Sequence, residues 1–168
     1  MDKYEIIYEN AYKSFEKQEN RKRDLDTKVS YLIAFTAVLL GCILEFIDIN
    51  LIFQRDISNT KEICIVVIAF FMYLISIGLT FTVIAFYVKI LINKPYANIN
   101  INKILEESFF NMDEKEIKLE LAKKYVSFCN ENTQLNNKQA IIFKKTTVLL
   151  FITLIMVAIT YMIFIFMW

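Results

Sequence analysis

Arg21, Lys22 and Arg23, followed by Asp24, Asp26 and Lys28, form the run RKRDLDTK, which passes into the apolar VSYLIAF with almost no spacer. Ionised groups this dense either anchor a helix at a membrane surface or belong to a working site. Ordinary acid–base catalysis is disfavoured. The chain has 0 histidines, which removes the usual general base, the usual metal ligand and any histidine-based triad. Gly41 and Gly78, its 2 glycines, sit inside apolar runs, so no glycine-rich phosphate loop is present. Cys42, Cys64 and Cys129 show no CxxC spacing and read as reduced, small apolar fillers. The chain reads as a non-enzyme with no metal and no cofactor.

The elements that position this cluster follow from composition. Of 168 residues, 57% are hydrophobic and 15% aromatic, and long uncharged runs dominate. The expected fold is an all-α integral membrane protein: three transmembrane helices with a helical cytoplasmic domain. Val29 to Leu44 is uncharged for 16 residues, about 24 Å of helix, so the first span is drawn over 29–47 with Glu45 near the far interface. Ile63 to Val88 is uncharged for 26 residues and gives a second span over 63–93, ended at Asn93-Lys94-Pro95. Thr146 to Trp168 gives the third. A cleaved signal peptide does not fit the charged segment before the first apolar run.

All 19 basic and 18 acidic residues precede Thr146. Residues 1–28 carry seven of the cations and residues 89–145 ten, whereas Arg55 and Lys61 alone lie between Glu45 and Glu62. Cations beside membrane ends tend to stay inside. Residues 1–28 and 94–145 are therefore placed in the cytoplasm, with the 48–62 loop and the C-terminal end of span three outside.

Residues 2–28 read as an amphipathic helix whose apolar arc is Tyr4, Ile7, Tyr8, Ala11, Tyr12 and Phe15. Asn102 is a candidate cap for a short helix, and Asp113 with Glu116 suits a capping box for a helix starting near Glu114. That helix carries a wide apolar arc including Ile117, Leu121, Ala122, Tyr125 and Phe128. One partner cannot cover so much surface, so a homo-oligomer is expected. Asn132, Gln139, Thr146, Thr153 and Thr160 recur at every seventh position, which favours one continuous helix into the third span.

Two polar faces lie within the spans: Thr146, Thr153 and Thr160 on the third, and Tyr73, Ser76, Thr80 and Tyr87 on the second. Either they are helix-packing faces, or they line a water-filled passage once subunits assemble. Glu45 is the acid that abuts a span, as an interfacial group or as part of an outer mouth.

The segments LDTKVSYLIAFTAVLLG (25–41), KPYANIN after the second span, and LAKKYVSFCNENTQLNNKQ before the third resemble the transmembrane effectors of Pycsar-type bacterial anti-phage systems, or related SMODS-associated multi-span effectors. The resemblance implies an inner-membrane effector of anti-phage defence. Such a protein senses a cyclic pyrimidine mononucleotide through its cytoplasmic helices and impairs membrane integrity or potential, with no role for nucleic acid. It implies that Arg21, Lys22, Arg23, Lys123 or Lys124 hold the cyclic phosphate, with asparagines or tyrosines reading the base. Asp24 and Asp26, beside Lys28, are expected to pair with Lys89, Lys94, Lys144 or Lys145 and so couple the helices to the spans. The competing reading is an accessory, immunity or scaffolding membrane protein, or a small oligomeric channel.

Overall fold

The computed structural model describes residues 2–46, 60–92, 96–98 and 112–166. Three α-helices account for nearly all of them: α1 (Lys3–Phe46), α2 (Thr60–Leu91) and α3 (Glu114–Phe166). All three are long and apolar enough to cross a membrane. α1 spans 44 residues and α3 spans 53, or about 66 Å and 80 Å of helix. Both run without a break from a charged half into an apolar half, so residues 114–166 form one continuous helix. No proline lies within any of the three helices, and Gly41 and Gly78 have helical backbone with no positive φ. The expected stop at Pro95 and the expected cap at Asn102 fall outside the described residues.

At the start of α3 the Asp113 carboxylate accepts the Glu114 amide at 2.8 Å. The capping box expected that oxygen on the Glu116 amide, two residues further along. Asp113 still serves the helix end, since its carbonyl accepts the Ile117 amide at 3.0 Å.

The chain forms two compact units: residues 1–27 with 93–141, and residues 28–92 with 142–168. In the first unit, Ala11, Phe15 and Ala122 are buried. Tyr125 of α3 sits among three α1 rings, with centroids 5.9 Å from Tyr8, 5.4 Å from Tyr12 and 5.3 Å from Phe15. The Cys129 thiol reaches the Ser14 carbonyl at 3.7 Å. Cys42 and Cys129 are half-buried and Cys64 is exposed, so the three thiols are not the buried fillers that their composition suggested. Ile7, at 46% exposed, and Val126, at 50%, lie at the edges of arcs too wide for one helix pair to cover.

Burial, then the neighbouring Tyr8 and Tyr12 hydroxyls, push the Tyr125 phenol up to about 12 from its ordinary 10.0. A group that holds its proton more tightly when folded stabilises the fold fully below the unfolded value. That contribution disappears as the medium rises from pH 10 through the folded value. The first unit is therefore expected to loosen between about pH 10 and 12, read as late-ionising tyrosinate absorbance that Tyr125→Phe removes. An unchanged titration in that variant would refute the assignment.

In the second unit Ile43, Val66, Ala69, Tyr73 and Phe164 form a core, flanked by Leu39, Ile77, Val157 and Ile163. The polar faces are also inside it. Thr36, Ser76, Thr80, Thr146, Thr153 and Thr160 are all buried, as are Tyr73 and Tyr87. Each of those six hydroxyls donates to the carbonyl four residues back in its own helix, at 2.6–2.9 Å. Local back-bonding satisfies the hydroxyl without a partner helix, which lets a polar face sit in an apolar surrounding. Large apolar side chains point outward instead, among them Tyr31 at 73% exposed, Val38 and Phe151. An outer surface of that kind suits lipid tails.

Two contacts join the polar faces across helices. Ser76 Oγ lies 3.4 Å from Thr160 Oγ1, and Tyr87 Oη lies 3.2 Å from Thr147 Oγ1. The first is long and competes with stronger bonds within each helix. Thr160→Val is thus expected to cost only about 0.6 kcal/mol, the usual size of such contacts in membranes. Its thermal midpoint in detergent is expected to fall by no more than about 2 °C. A collapse of the folded signal would show that the seam depends on that pair.

Candidate functional site

The first unit gathers its polar groups where α1 and α3 receive the short described segment 96–98. On α1, Gln18, Lys22 and Asp26 recur every fourth residue and share a face, with Glu19 and Arg23 one position further round. On α3, Asn132 and Asn136 are also four apart, and both are buried, at 0% and 1% exposed.

Asn132 grips Ala97 from both sides. Its Oδ1 accepts the Ala97 amide at 3.1 Å, and its Nδ2 donates to the Ala97 carbonyl at 3.0 Å. One carboxamide thus makes the pair of bonds that a neighbouring strand residue makes in an antiparallel ladder. Asn136 Nδ2 donates toward the Tyr96 hydroxyl at 2.9 Å and toward the Gln18 carbonyl and Oε1, each at 3.1 Å. The Tyr96 hydroxyl in turn donates to the Gln18 carbonyl at 2.7 Å. Burial raises the Tyr96 pKa, against the Asn136 bond that lowers it, so the phenol keeps the proton that this bond requires.

Beside this node is an open groove of about 230 Å³ lined by Glu19, Lys22, Arg23, Asp26 and Tyr96. The Lys22 ammonium is 2.9 Å from Asp26 Oδ2 and 5.7 Å from the centre of the Tyr96 ring. Arg23 is exposed and makes no ion pair with any described residue. Two cations and two carboxylates cancel in formal charge, but Asp26 is already engaged by Lys22. The guanidinium is therefore the donor most open to an incoming anion.

Of the cations suggested by resemblance, the structure brings Lys22 and Arg23 to this groove. Arg21 is exposed outside its lining, Lys123 pairs with Glu120 at 2.8 Å, and Lys124 is half-buried on α3. Asp26 Oδ2 meets Lys22, one turn earlier on its own helix, through the ready i, i+4 geometry. The sequence pointed to Lys89, Lys94, Lys144 or Lys145. Lys94 lies outside the described residues, and Asp24, Lys28 and Glu45 are exposed. Among the described residues, no cluster of metal-ligating side chains occurs.

Sequence reasoning missed Tyr96, Gln18 and Asn136. A signal existed for the last. Asn132, Asn136 and Gln139 put three carboxamides on one face of an otherwise ordinary helix, where side-chain amides have no reason to collect unless backbone is to be bound. Nothing in KPYANIN marks Tyr96, because its role depends on contacts with Gln18 and Asn136 that no local pattern encodes.

By architecture the chain is an all-helical protein with three helices fit to cross a membrane. No protein-family model, curated protein or solved structure matches it.

Proposed function

We propose that the protein is a homo-oligomeric inner-membrane effector of anti-phage defence. Its charged unit lies in the cytoplasm, binds a small anion such as a cyclic pyrimidine mononucleotide, and thereby impairs membrane integrity or potential. The observation that carries this reading is the groove at Lys22, Arg23 and Tyr96, placed on α1, which continues unbroken to Phe46. The positive-inside asymmetry of the sequence supports the orientation, and the resemblance of 25–41 and its companion segments supports the ligand class. A ligand that prefers one helix arrangement shifts the population toward it, in proportion to its differential affinity. Burial of the threonine and tyrosine faces within the second unit favours disturbance of the bilayer over a channel lined by those residues.

The test uses the full chain in nanodiscs, titrated calorimetrically with cyclic UMP and cyclic CMP, together with a membrane-potential dye in cells expressing the protein. Binding of one nucleotide, and depolarisation when it is supplied, are the expected results. Absence of both removes the reading and leaves an accessory or scaffolding role. A monomer by mass photometry would remove the oligomeric part alone.

A further inference from the structure

We propose that Tyr96 and Ala97 form a latch, held shut by Asn132, Asn136 and Gln18, whose release is the response of the first unit to an anion in the groove. The idea rests on the groove being the ligand site, and it adds the element that senses occupancy.

Three features point to a latch. First, side-chain amides make three of the hydrogen bonds described for the segment. Asn132 binds Ala97 through both backbone groups, Asn136 Nδ2 donates to the Tyr96 hydroxyl, and that hydroxyl donates to the backbone carbonyl of Gln18. Bonds of this kind are made or broken without unravelling a helix, so the segment is free to open as its own unit. Second, the Tyr96 ring is a wall of the groove and lies under the Lys22 ammonium. An anion that draws Lys22 toward itself removes the cation–π contact at the moment it binds. Third, the groove is small and the Tyr96 ring bounds it. About 230 Å³ is below the roughly 300–1,000 Å³ of small-molecule sites. A phosphate fits among these side chains, and displacement of the Tyr96 wall enlarges the site for the rest of a nucleotide. The latch lies five residues beyond Leu91, the last residue of α2, so its position is tied covalently to that helix.

Hydrogen exchange on the full chain in nanodiscs tests this, with the Ala97 amide as the reporter. Without nucleotide, that amide is expected to be protected, but less than the α3 amides of 118–128. Asn132→Ala is expected to speed its exchange about tenfold, the loss of one net hydrogen bond, with 118–128 unchanged. Asn132→Asp keeps the acceptor and loses the donor, and is expected to fall between the two. In cells, Asn132→Ala and Tyr96→Phe are expected to depolarise the membrane without added nucleotide. A merely structural contact would instead give loss of response.

An Ala97 amide that exchanges as a free peptide, or only together with the α3 amides, overturns the latch. So does cyclic UMP binding by calorimetry with no change at Ala97, and in that case the functional reading stands. If cyclic UMP does not bind, the functional reading falls. The latch is then decided by the two variants, where silence in cells overturns it and ligand-independent depolarisation supports it.

Discussion

Asn136→Asp is expected to destabilise the first unit by about 3–5 kcal/mol at pH 7, the cost of an uncompensated buried charge. The side chain is 1% exposed. Its Nδ2 faces three oxygens: the Gln18 carbonyl, Gln18 Oε1 and the Tyr96 hydroxyl. Its Oδ1 is buried with no hydrogen-bond partner among the described residues. A carboxylate in that place offers two acceptors to two Gln18 oxygens and to a hydroxyl whose proton already goes to the Gln18 carbonyl. The alternative is to stay protonated, and holding a carboxyl with an unfolded value of about 3.9 neutral at pH 7 costs about 4 kcal/mol.

The sign with pH follows from the same argument. The folded-state pKa of the introduced carboxyl lies above its unfolded value, so the stability linked to its proton is fully present below about pH 4 and is lost as pH rises toward neutrality. The deficit of Asn136→Asp is therefore expected to narrow on acidification. Asn136→Leu breaks the same bonds without adding an ionisable group, so its deficit is expected to stay flat across that range. Hydrogen exchange at the α3 amides of 118–128, compared at pH 4 and pH 7 after correction for intrinsic rates, reads both. Equal protection in Asn136→Asp and the unsubstituted chain at pH 7 would mean that the amide is not the buried hub its geometry indicates.

How much of this was legible in the sequence depends on the range of the interaction. Helix class and the three apolar helices follow from uncharged runs and the scarcity of glycine and proline, which are local properties. The seven-residue recurrence from Asn132 to Thr160 favoured an unbroken α3 without deciding it, since it keeps one face in register. That those threonines pack inside the chain follows from the partner helix; the sequence favoured packing and left a water-lined passage as the alternative. The groove was half legible. Lys22 and Arg23 stand out as charges, but nothing distinguishes them from Arg21 until helical phase and the Tyr96 wall are known. Asp26 shows the same limit from the other side. Its i, i+4 neighbour Lys22 meets one oxygen, while Lys94, one of the distant partners the sequence pointed to, lies outside the described residues.

Arg23→Glu is expected to weaken binding of an anionic ligand by about two orders of magnitude, because a charge-assisted hydrogen bond contributes about 1.5–3 kcal/mol and each 1.4 kcal/mol is tenfold. It is expected to leave the fold intact. The guanidinium is exposed, makes no ion pair among the described residues, and borders the groove without entering the Asn136 node. Surface substitutions of that kind usually change stability by less than about 0.5 kcal/mol. Arg21→Glu is the control, with the same change in charge two positions away and outside the groove lining. General electrostatic attraction would weaken both variants alike, and raising the salt concentration would erase the difference from the unsubstituted chain. A site built at Arg23 weakens one variant far more than the other, and the gap persists in salt. Calorimetry with cyclic UMP in nanodiscs, at low and high salt, separates the two cases, and matching losses in the two variants would reduce Arg23 to one more charge at a membrane face. Depolarisation in cells is expected to follow the same order: near-complete loss for Arg23→Glu and a retained response for Arg21→Glu, since occupancy of the groove sets how far the helix population shifts.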